Sequence, residues 1–167
     1  MLREMKITGL TMDPQTNTPI VVLKDTESDA VLPIWIGLLE ATAIATELEK
    51  IQFPRPMTHD LIKNLLGHLE VRVERVEVCD LRDDTFYAWI YLTVNSKETR
   101  IDARPSDALA IALRTGSPIY VNERVLQKSG AVATAEAEVQ GDGDEEAKAW
   151  SDILKLFTRV DFRGYDL

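Results

Sequence analysis

The sequence predicts an α+β domain in which a unit of three strands and two helices occurs twice. Alternating apolar residues, typical of strands, are followed in each half by apolar residues at helical spacing. A strand-to-helix corner is also repeated, because Glu40-Ala41-Thr42-Ala43-Ile44-Ala45 resembles Asp107-Ala108-Leu109-Ala110-Ile111-Ala112. We therefore expect duplicated β3α2 repeats at about residues 1–68 and 69–129.

The first half is predicted to begin with a meander of three strands. In the first strand, residues 3–12, the apolar positions change phase at Thr8-Gly9, which indicates a β-bulge. The second strand covers residues 20–23 and the third covers residues 30–36. Pro33 favours an edge position or a bulge for the third strand, because proline has no N–H group for an inner ladder.

Two helices are predicted after the meander. The first covers residues 38–51, where small and apolar residues recur at helical spacing. Pro54-Arg55-Pro56 then interrupts the chain. Thr58 is a suitable N-cap for the second helix, and Gly67 is expected to close that helix.

The second half is predicted to follow the same order. Its first strand begins at Val71 and shows a second change of phase at Glu74-Arg75. The later elements are strands at 84–95 and 99–103, a helix at 106–115, an extended piece at 117–121 and a brief helix opened by Asn122.

Length, composition and charge limit the class of protein. A chain of 167 residues, 45% hydrophobic, can bury a core as one domain. It has neither a long apolar run nor a signal-peptide pattern, so a cytoplasmic location without a membrane span is predicted. The single cysteine, Cys79, excludes an intrachain disulfide. A net charge of −9 argues against tight non-specific binding of nucleic acid, so such a role needs a local site or a metal.

The C-terminal part is predicted to differ from the rest. Residues 130–144 are small and acidic, as in a flexible linker. Residues 145–167 are expected to form an amphipathic helix and a tail, with Trp150 and Leu154 on the apolar face. This helix is expected to dock on its own domain or on a neighbouring subunit. Its apolar face and that of the strand at 84–95 favour a homo-oligomer.

Several motifs make the chain resemble the bifunctional nuclease domain family. The segments that carry the resemblance are Leu32-Pro33-Ile34-Trp35-Ile36-Gly37 with Glu40-Ala41, Arg55-Pro56-Met57-Thr58-His59-Asp60-Leu61, Phe86-Tyr87-Ala88, Ile101-Asp102-Ala103-Arg104-Pro105-Ser106-Asp107-Ala108 and Pro118-Ile119-Tyr120-Val121. The resemblance implies a single curved, barrel-like, mostly antiparallel sheet with packed helices. It also implies hydrolysis of the phosphodiester bonds of DNA and RNA, an activity attributed to plant relatives.

The repeated corners hold the candidate residues for this chemistry. Phosphodiester hydrolysis needs an activated water, usually on a metal between carboxylates, and positive groups that offset the phosphate charge. If the two repeats face each other, Glu40 and Asp107 converge in a pocket and could hold a divalent metal such as Mg²⁺. The further candidates are Asp102 and His59 for catalysis, and Arg104, Arg55 and Ser106 for substrate binding.

Alternative interpretations of the same residues stay open. Ser106 and Asp107 at a helix start can simply cap the helix and complement its dipole, and a buried Arg104 can tie Asp102 or the preceding carbonyl groups together. The stripe Tyr87, Trp89 and Tyr91 could stack bases, but it lacks basic neighbours, and packing against a helix or a second subunit is favoured. The alternative function is a non-catalytic oligomeric module that binds a small anionic ligand or a protein partner.

Overall fold

The computed structural model describes residues 1–130, which form one mixed β-sheet and four α-helices. The predicted linker and terminal helix beyond residue 130 lie outside the described residues. The elements are, in chain order, β1 (Leu2–Met12), β2 (Pro19–Asp25), β3 (Val31–Trp35), α1 (Leu38–Leu48), α2 (Thr58–His68), β4 (Arg72–Arg82), β5 (Thr85–Val94), β6 (Lys97–Ala103), α3 (Pro105–Thr115), β7 (Ile119–Asn122) and α4 (Glu123–Lys128). An α+β fold is thus confirmed.

The sheet has seven strands in the order β3-β2-β1-β7-β4-β5-β6. Each three-stranded meander is antiparallel, and β7 lies between them, antiparallel to β1 and parallel to β4. The sheet is open rather than a closed barrel, because β3 and β6 are edge strands that do not pair with each other. The second half contains β7, which has no counterpart in the first half, so the duplication stays a prediction.

Both predicted β-bulges are present in the long strands β1 and β4. The register with the neighbouring strand shifts between Ile7 and Gly9, and again between Val73 and Arg75. A third shift, which the sequence did not indicate, lies between Val78 and Asp80. The edge position predicted for the strand that contains Pro33 is also confirmed.

One face of the sheet packs against α1 and α3. Small residues let these two helices approach each other closely, because an alanine side chain adds little beyond the backbone. The buried alanines are Ala41 and Ala45 of α1 and Ala108, Ala110 and Ala112 of α3. In contrast, α2 lies against α3 and has no buried residue. No helix in the described part of the chain is long and apolar enough to cross a membrane.

The ends of α2 differ from the prediction. Its N-cap is Met57, and the predicted cap Thr58 is the first helical residue. The helix start is capped from within, because the Asp60 carboxylate accepts a hydrogen bond from the Met57 N–H at 2.9 Å. Gly67 lies inside the helix, which ends at His68.

The other short helices follow local backbone preferences. α1 ends at Leu48, before the predicted end at residue 51, because Lys50 takes a φ of 53° that a right-handed helix does not allow. α4 begins as predicted, since the Asn122 side chain accepts a hydrogen bond from the Arg124 N–H at 3.1 Å.

Candidate functional site

The corners that follow the two edge strands are in contact. β3 leads into α1 and β6 leads into α3, and Arg104 Nη1 donates a hydrogen bond to Glu40 Oε1 at 2.7 Å. Six interstrand spacings of about 4.8 Å would separate the edges of a flat sheet by about 29 Å. The sheet must therefore curl, and its curvature brings the two corners together.

Four side chains, which we call the corner cluster, meet at this contact: Glu40, His59, Arg104 and Asp107. Arg104 Nε donates to Asp107 Oδ2 at 2.7 Å, and His59 Nε2 lies 2.9 Å from Asp107 Oδ1. Glu40, His59 and Asp107 belong to the first turns of α1, α2 and α3. Helix N-termini carry partial positive charge, which stabilises the two carboxylates of the cluster.

Hydrogen bonds within the corner cluster shift the pKa values of Asp107 and Arg104 in the directions that favour their charged forms. Burial acts to raise the pKa of Asp107, but hydrogen bonds from Arg104 and His59 outweigh it, and the pKa lies below its ordinary value. The hydrogen bond to Asp107, followed by that to Glu40, raises the pKa of Arg104. With His59 neutral, the cluster has one more negative than positive charge.

Arg104 is the exposed member of the corner cluster. Its side chain is 63% exposed, against 20% for Glu40 and 14% for His59. The two carboxylates hold Nε and Nη1, so Nη2 of the guanidinium group stays available to a ligand. The cluster therefore presents an oriented positive group to solvent.

Gly37 makes room for the Glu40 carboxylate. It is the N-cap of α1, with φ −74° and ψ 162°, a conformation open to any residue. A Cβ atom at this position would collide with Glu40 Oε2, which folds back over the helix start. The lack of a Cβ at Gly37 thus leaves space for this position of the flexible Glu40 side chain and is not required by the backbone conformation.

A pocket of about 260 Å³ lies beside the corner cluster, between the edge-strand corners and the turn from β4 to β5. Glu40 and Arg104 line it together with the buried Ser106. The remaining lining residues are Ile34, Trp35, Ile36, Gly37, Asp84, Thr85, Phe86 and Pro105. Asp107 and His59 do not line the pocket. Asp107 contacts the lining residue Arg104, and His59 contacts Asp107, so these two side chains support one wall of the pocket.

Two predicted site residues lie away from the corner cluster. Asp102 is exposed on β6 and lies directly opposite Trp89 on β5, so it belongs to the sheet face that does not carry α1 and α3. Arg55 is exposed in the loop before α2 and makes no ion pair within residues 1–130. Of the predicted residues, the structure brings together Glu40, Asp107, His59, Arg104 and Ser106.

A divalent metal between Glu40 and Asp107 stays a prediction. The guanidinium group of Arg104 lies between the two carboxylates and already donates to both, so the arrangement does not fit a shared metal ion. Among residues 1–130, no group of three or more His, Cys, Asp or Glu side chains is placed to hold a metal. A shared metal would require Arg104 to move.

A buried ion pair behind the cluster was not predicted. Arg114 of α3, whose side chain is 4% exposed, donates from Nε to Asp60 Oδ1 at 2.6 Å and from Nη1 to the Ala110 carbonyl oxygen at 3.0 Å. Burial acts to raise the pKa of Asp60, but the hydrogen bonds from Arg114 and Met57 lower it below its usual range. This pair fixes α2 on α3 and thereby positions His59. The sequence signal for a buried ion pair was Arg114 itself, a charged residue within a largely apolar stretch of α3.

The aromatic stripe on β5 has basic neighbours after all. An arginine guanidinium lies over each ring: Arg75 over Tyr91 at 3.6 Å, Arg100 over Trp89 at 4.5 Å and Arg82 over Tyr87 at 4.6 Å from the ring centroid. The expectation that the stripe lacks basic residues was wrong, because these arginines come from β4 and β6 across the sheet. The three rings are half-buried beneath them.

Known proteins of one family are similar to this chain in sequence. The sequence model of the bifunctional nuclease domain family matches residues 21–134 of this chain. An uncharacterized protein of Mycobacterium tuberculosis is 37% identical over 164 residues, which cover 96% of this chain and 98% of that protein. Bifunctional nuclease 1 of Oryza sativa subsp. japonica is 31% identical over 121 residues, which cover 71% of this chain and 37% of the rice protein. Bifunctional nuclease 1 of Arabidopsis thaliana is 25% identical over 170 residues, which cover 89% of this chain and 52% of that protein.

The fold and the corner cluster define an α+β protein with an arginine–carboxylate site where helix starts converge. The family match extends over both corners of that site. The chain belongs to the bifunctional nuclease domain family.

Proposed function

We propose that the protein is a nuclease that hydrolyses phosphodiester bonds of DNA and RNA at the pocket beside the corner cluster. The observation that carries the proposal is the exposed, oriented Arg104 guanidinium at this pocket in a member of a nuclease family. A planar guanidinium group matches the geometry of phosphate oxygens.

In the proposed site, Arg104 binds a non-bridging phosphate oxygen through Nη2. The Ser106 hydroxyl lines the same pocket and supplies a second hydrogen bond to the substrate. The start of α3 adds the partial positive charge of its free N–H groups. Together these groups offset the charge that develops on the phosphate during hydrolysis.

His59 is the proposed general base. Asp107 holds Nε2 of the imidazole, which leaves Nδ1 as the ring nitrogen that can accept a proton. His59 does not line the pocket, so the proton of the attacking water reaches it through a bridging water. Asp107 then stabilises the imidazolium that forms, as an orienting carboxylate does in other hydrolases. As the water oxygen bonds to phosphorus, the bond from phosphorus to one sugar oxygen breaks, and that oxygen leaves with the proton that the imidazolium returns through water.

Metal dependence is a separate part of the proposal. The corner cluster has an excess of negative charge, which opposes binding of a phosphate unless a cation accompanies the substrate. Cleavage should therefore be measured with Mg²⁺, with Mn²⁺ and with EDTA.

The test is cleavage of single-stranded DNA, double-stranded DNA and RNA by the full-length protein. His59→Gln is expected to lose roughly 100-fold in rate, because general-base catalysis contributes about 10² to 10⁴. Arg104→Ala is expected to lose a similar factor, because loss of one donor to the developing charge costs about 10² to 10³. Arg100→Ala, purified in parallel, should keep the wild-type rate, since Arg100 lies over Trp89, away from the pocket lining. Equal cleavage by all variants would indicate a contaminant and reject the site.

The second candidate is a non-catalytic module that binds a small anionic ligand or a protein partner. The observation in its favour is that Arg104 already donates hydrogen bonds to both carboxylates of the corner cluster. These bonds fix the guanidinium group for binding an anion and leave neither carboxylate free to hold a catalytic metal. This function would be favoured by two results together. Pure wild-type protein would cleave none of the substrates, and it would bind inorganic phosphate while Arg104→Ala would not. The cytoplasmic location stays a prediction.

A further inference from the structure

The exposed side of α2 carries a continuous apolar stripe, which we call the α2 stripe. It consists of Met57, Leu61, Leu65 and Leu69, at a spacing of four residues. These side chains are 49%, 59%, 55% and 63% exposed. At about 1.5 Å per residue the stripe is about 18 Å long. A soluble protein rarely leaves so regular an apolar ridge in contact with water.

The α2 stripe is separate from the face of α2 that packs inside the domain. Ile62 and Leu66 are the half-buried apolar residues of α2 and lie on the side that faces α3. Lys63, the only basic residue of the helix apart from histidines, is two positions from Leu61 and projects roughly opposite to it. No charged side chain interrupts the stripe between Met57 and Leu69.

We propose that the α2 stripe is the interface of a homodimer, in which α2 packs antiparallel against α2 of a second copy. The proposal is independent of the nuclease function. A ridge with spacing four packs against an identical ridge, and a twofold axis makes such a contact self-complementary. A twofold axis on the stripe side of the helix, midway between Leu61 and Leu65, places Met57 opposite Leu69 of the second copy and Leu61 opposite Leu65 of the second copy.

Charges at the two ends of the stripe favour the antiparallel arrangement. Arg55 precedes the stripe and Glu70 follows it, and both are exposed without an ion pair in the described part of the chain. The antiparallel arrangement brings Arg55 of each copy near Glu70 of the other. A parallel arrangement would place like charges together at both ends. The stripe and its two end charges therefore match a second copy of the chain in the antiparallel orientation, which is the partner we propose.

The size of the stripe sets the expected affinity. A standard interface buries about 800 Å² on each partner, and one helix face provides less than that. We therefore expect a weak, concentration-dependent dimer with a dissociation constant on the order of 10 μM.

The first test is sedimentation velocity of the full-length protein from about 1 to 500 μM, a range that brackets the expected constant. The wild type should shift from monomer to dimer, and Leu61→Glu with Leu65→Glu should stay monomeric. Leu39→Glu is the matched control, because Leu39 is 71% exposed on α1 and lies outside the stripe. Circular dichroism confirms that each variant is folded. A wild type that stays monomeric, or a dimer that survives the stripe variant, would overturn the proposal.

The second test is a charge exchange. Arg55→Glu or Glu70→Arg alone should weaken the dimer about fivefold, because each reversal replaces two attractive pairs by repulsive ones. The double variant Arg55→Glu with Glu70→Arg should restore the wild-type constant. Failure of the double variant to recover would reject the antiparallel pairing.

Discussion

Two aspartate–arginine pairs at neighbouring helix starts have the same local chemistry and different surroundings. Asp60 of α2 and Asp107 of α3 both occupy the third helical position. Asp60 accepts a hydrogen bond from Arg114 at 2.6 Å, and Asp107 accepts one from Arg104 at 2.7 Å. The arginine side chain is 4% exposed in the first pair and 63% exposed in the second.

The partners of each pair explain the difference between them. The second oxygen of Asp60 caps its own helix, and Arg114 also donates to a backbone carbonyl, so the pair is satisfied within the fold. The second oxygen of Asp107 contacts His59, and Arg104 keeps donors for a ligand. In this protein, the aspartate whose arginine partner is exposed belongs to the candidate functional site. The aspartate whose arginine partner is buried stabilises the fold.

The largest expected effect comes from breaking the buried pair. Asp60→Ala leaves the Arg114 charge unpaired inside the protein, which costs about 3–5 kcal/mol for a wholly buried pair. Because Asp60 is about one third exposed, we expect the free energy of unfolding to fall by about 2–3 kcal/mol. Urea unfolding measures this change. A loss below about 0.5 kcal/mol, the size of an ordinary surface substitution, would contradict the structural role of the pair.

The exposed pair should contribute much less to stability. Arg104→Ala is expected to lower the free energy of unfolding by no more than about 1 kcal/mol, as solvent screens exposed ion pairs. The same urea titration, run beside Asp60→Ala, tests the contrast. Equal losses in the two variants would show that Arg104 is a structural residue of the same kind as Arg114.

Acid should weaken both pairs. The pKa values of Asp60 and Asp107 are lowered in the folded protein, so each contributes stability that is complete above the unfolded pKa of about 3.9 and is lost as pH falls through the folded pKa. We expect the urea midpoint to fall as the pH is lowered from about 4 towards the folded pKa values. Asp60→Asn and Asp107→Asn should each show a smaller fall over this range than the wild type. An unchanged slope in both variants would contradict the lowered pKa values.

The smallest effect is expected at Gly37. The Cβ of Gly37→Ala displaces the Glu40 carboxylate from Arg104 but fits the backbone, so stability should change by only about 0.5 kcal/mol. The Arg104 Nε–H resonance in a ¹⁵N spectrum should shift because the guanidinium loses one partner. Gly9→Ala is the control, since a Cβ there meets no neighbouring atom within 4 Å. The same resonance position in both variants would reject the spatial role of Gly37.

Features of the fold that depend on local pattern could be predicted from the sequence. The phase changes at Thr8-Gly9 and Glu74-Arg75 indicated bulges that are present, and Pro33 indicated an edge strand. The central position of β7 could not be predicted, because four extended residues carry no information about which strands they join. The open sheet was also missed, since closure depends on whether two distant edges pair.

Part of the site could be predicted from the repeated corners. The resemblance between the Glu40 and Asp107 stretches led to the expectation that they converge, and the structure brings them to one guanidinium group. The pairing of Asp60 with Arg114 and the arginines over the β5 stripe depend on helix packing and strand register. The position of Arg114 within a largely apolar stretch indicated a buried charge, but no local pattern identifies Asp60 as its partner or places an arginine over each ring of β5.

The position of β7 has a consequence for the order of folding. The two meanders share no strand pairing except through β7, which follows α3 in the chain. During synthesis each meander can form from contacts close in sequence, but the sheet is joined only after residues 119–122 leave the ribosome. We therefore expect the Glu40–Arg104 contact to be a late event, so that a nascent chain acquires its candidate site only when nearly all of the sheet has been made.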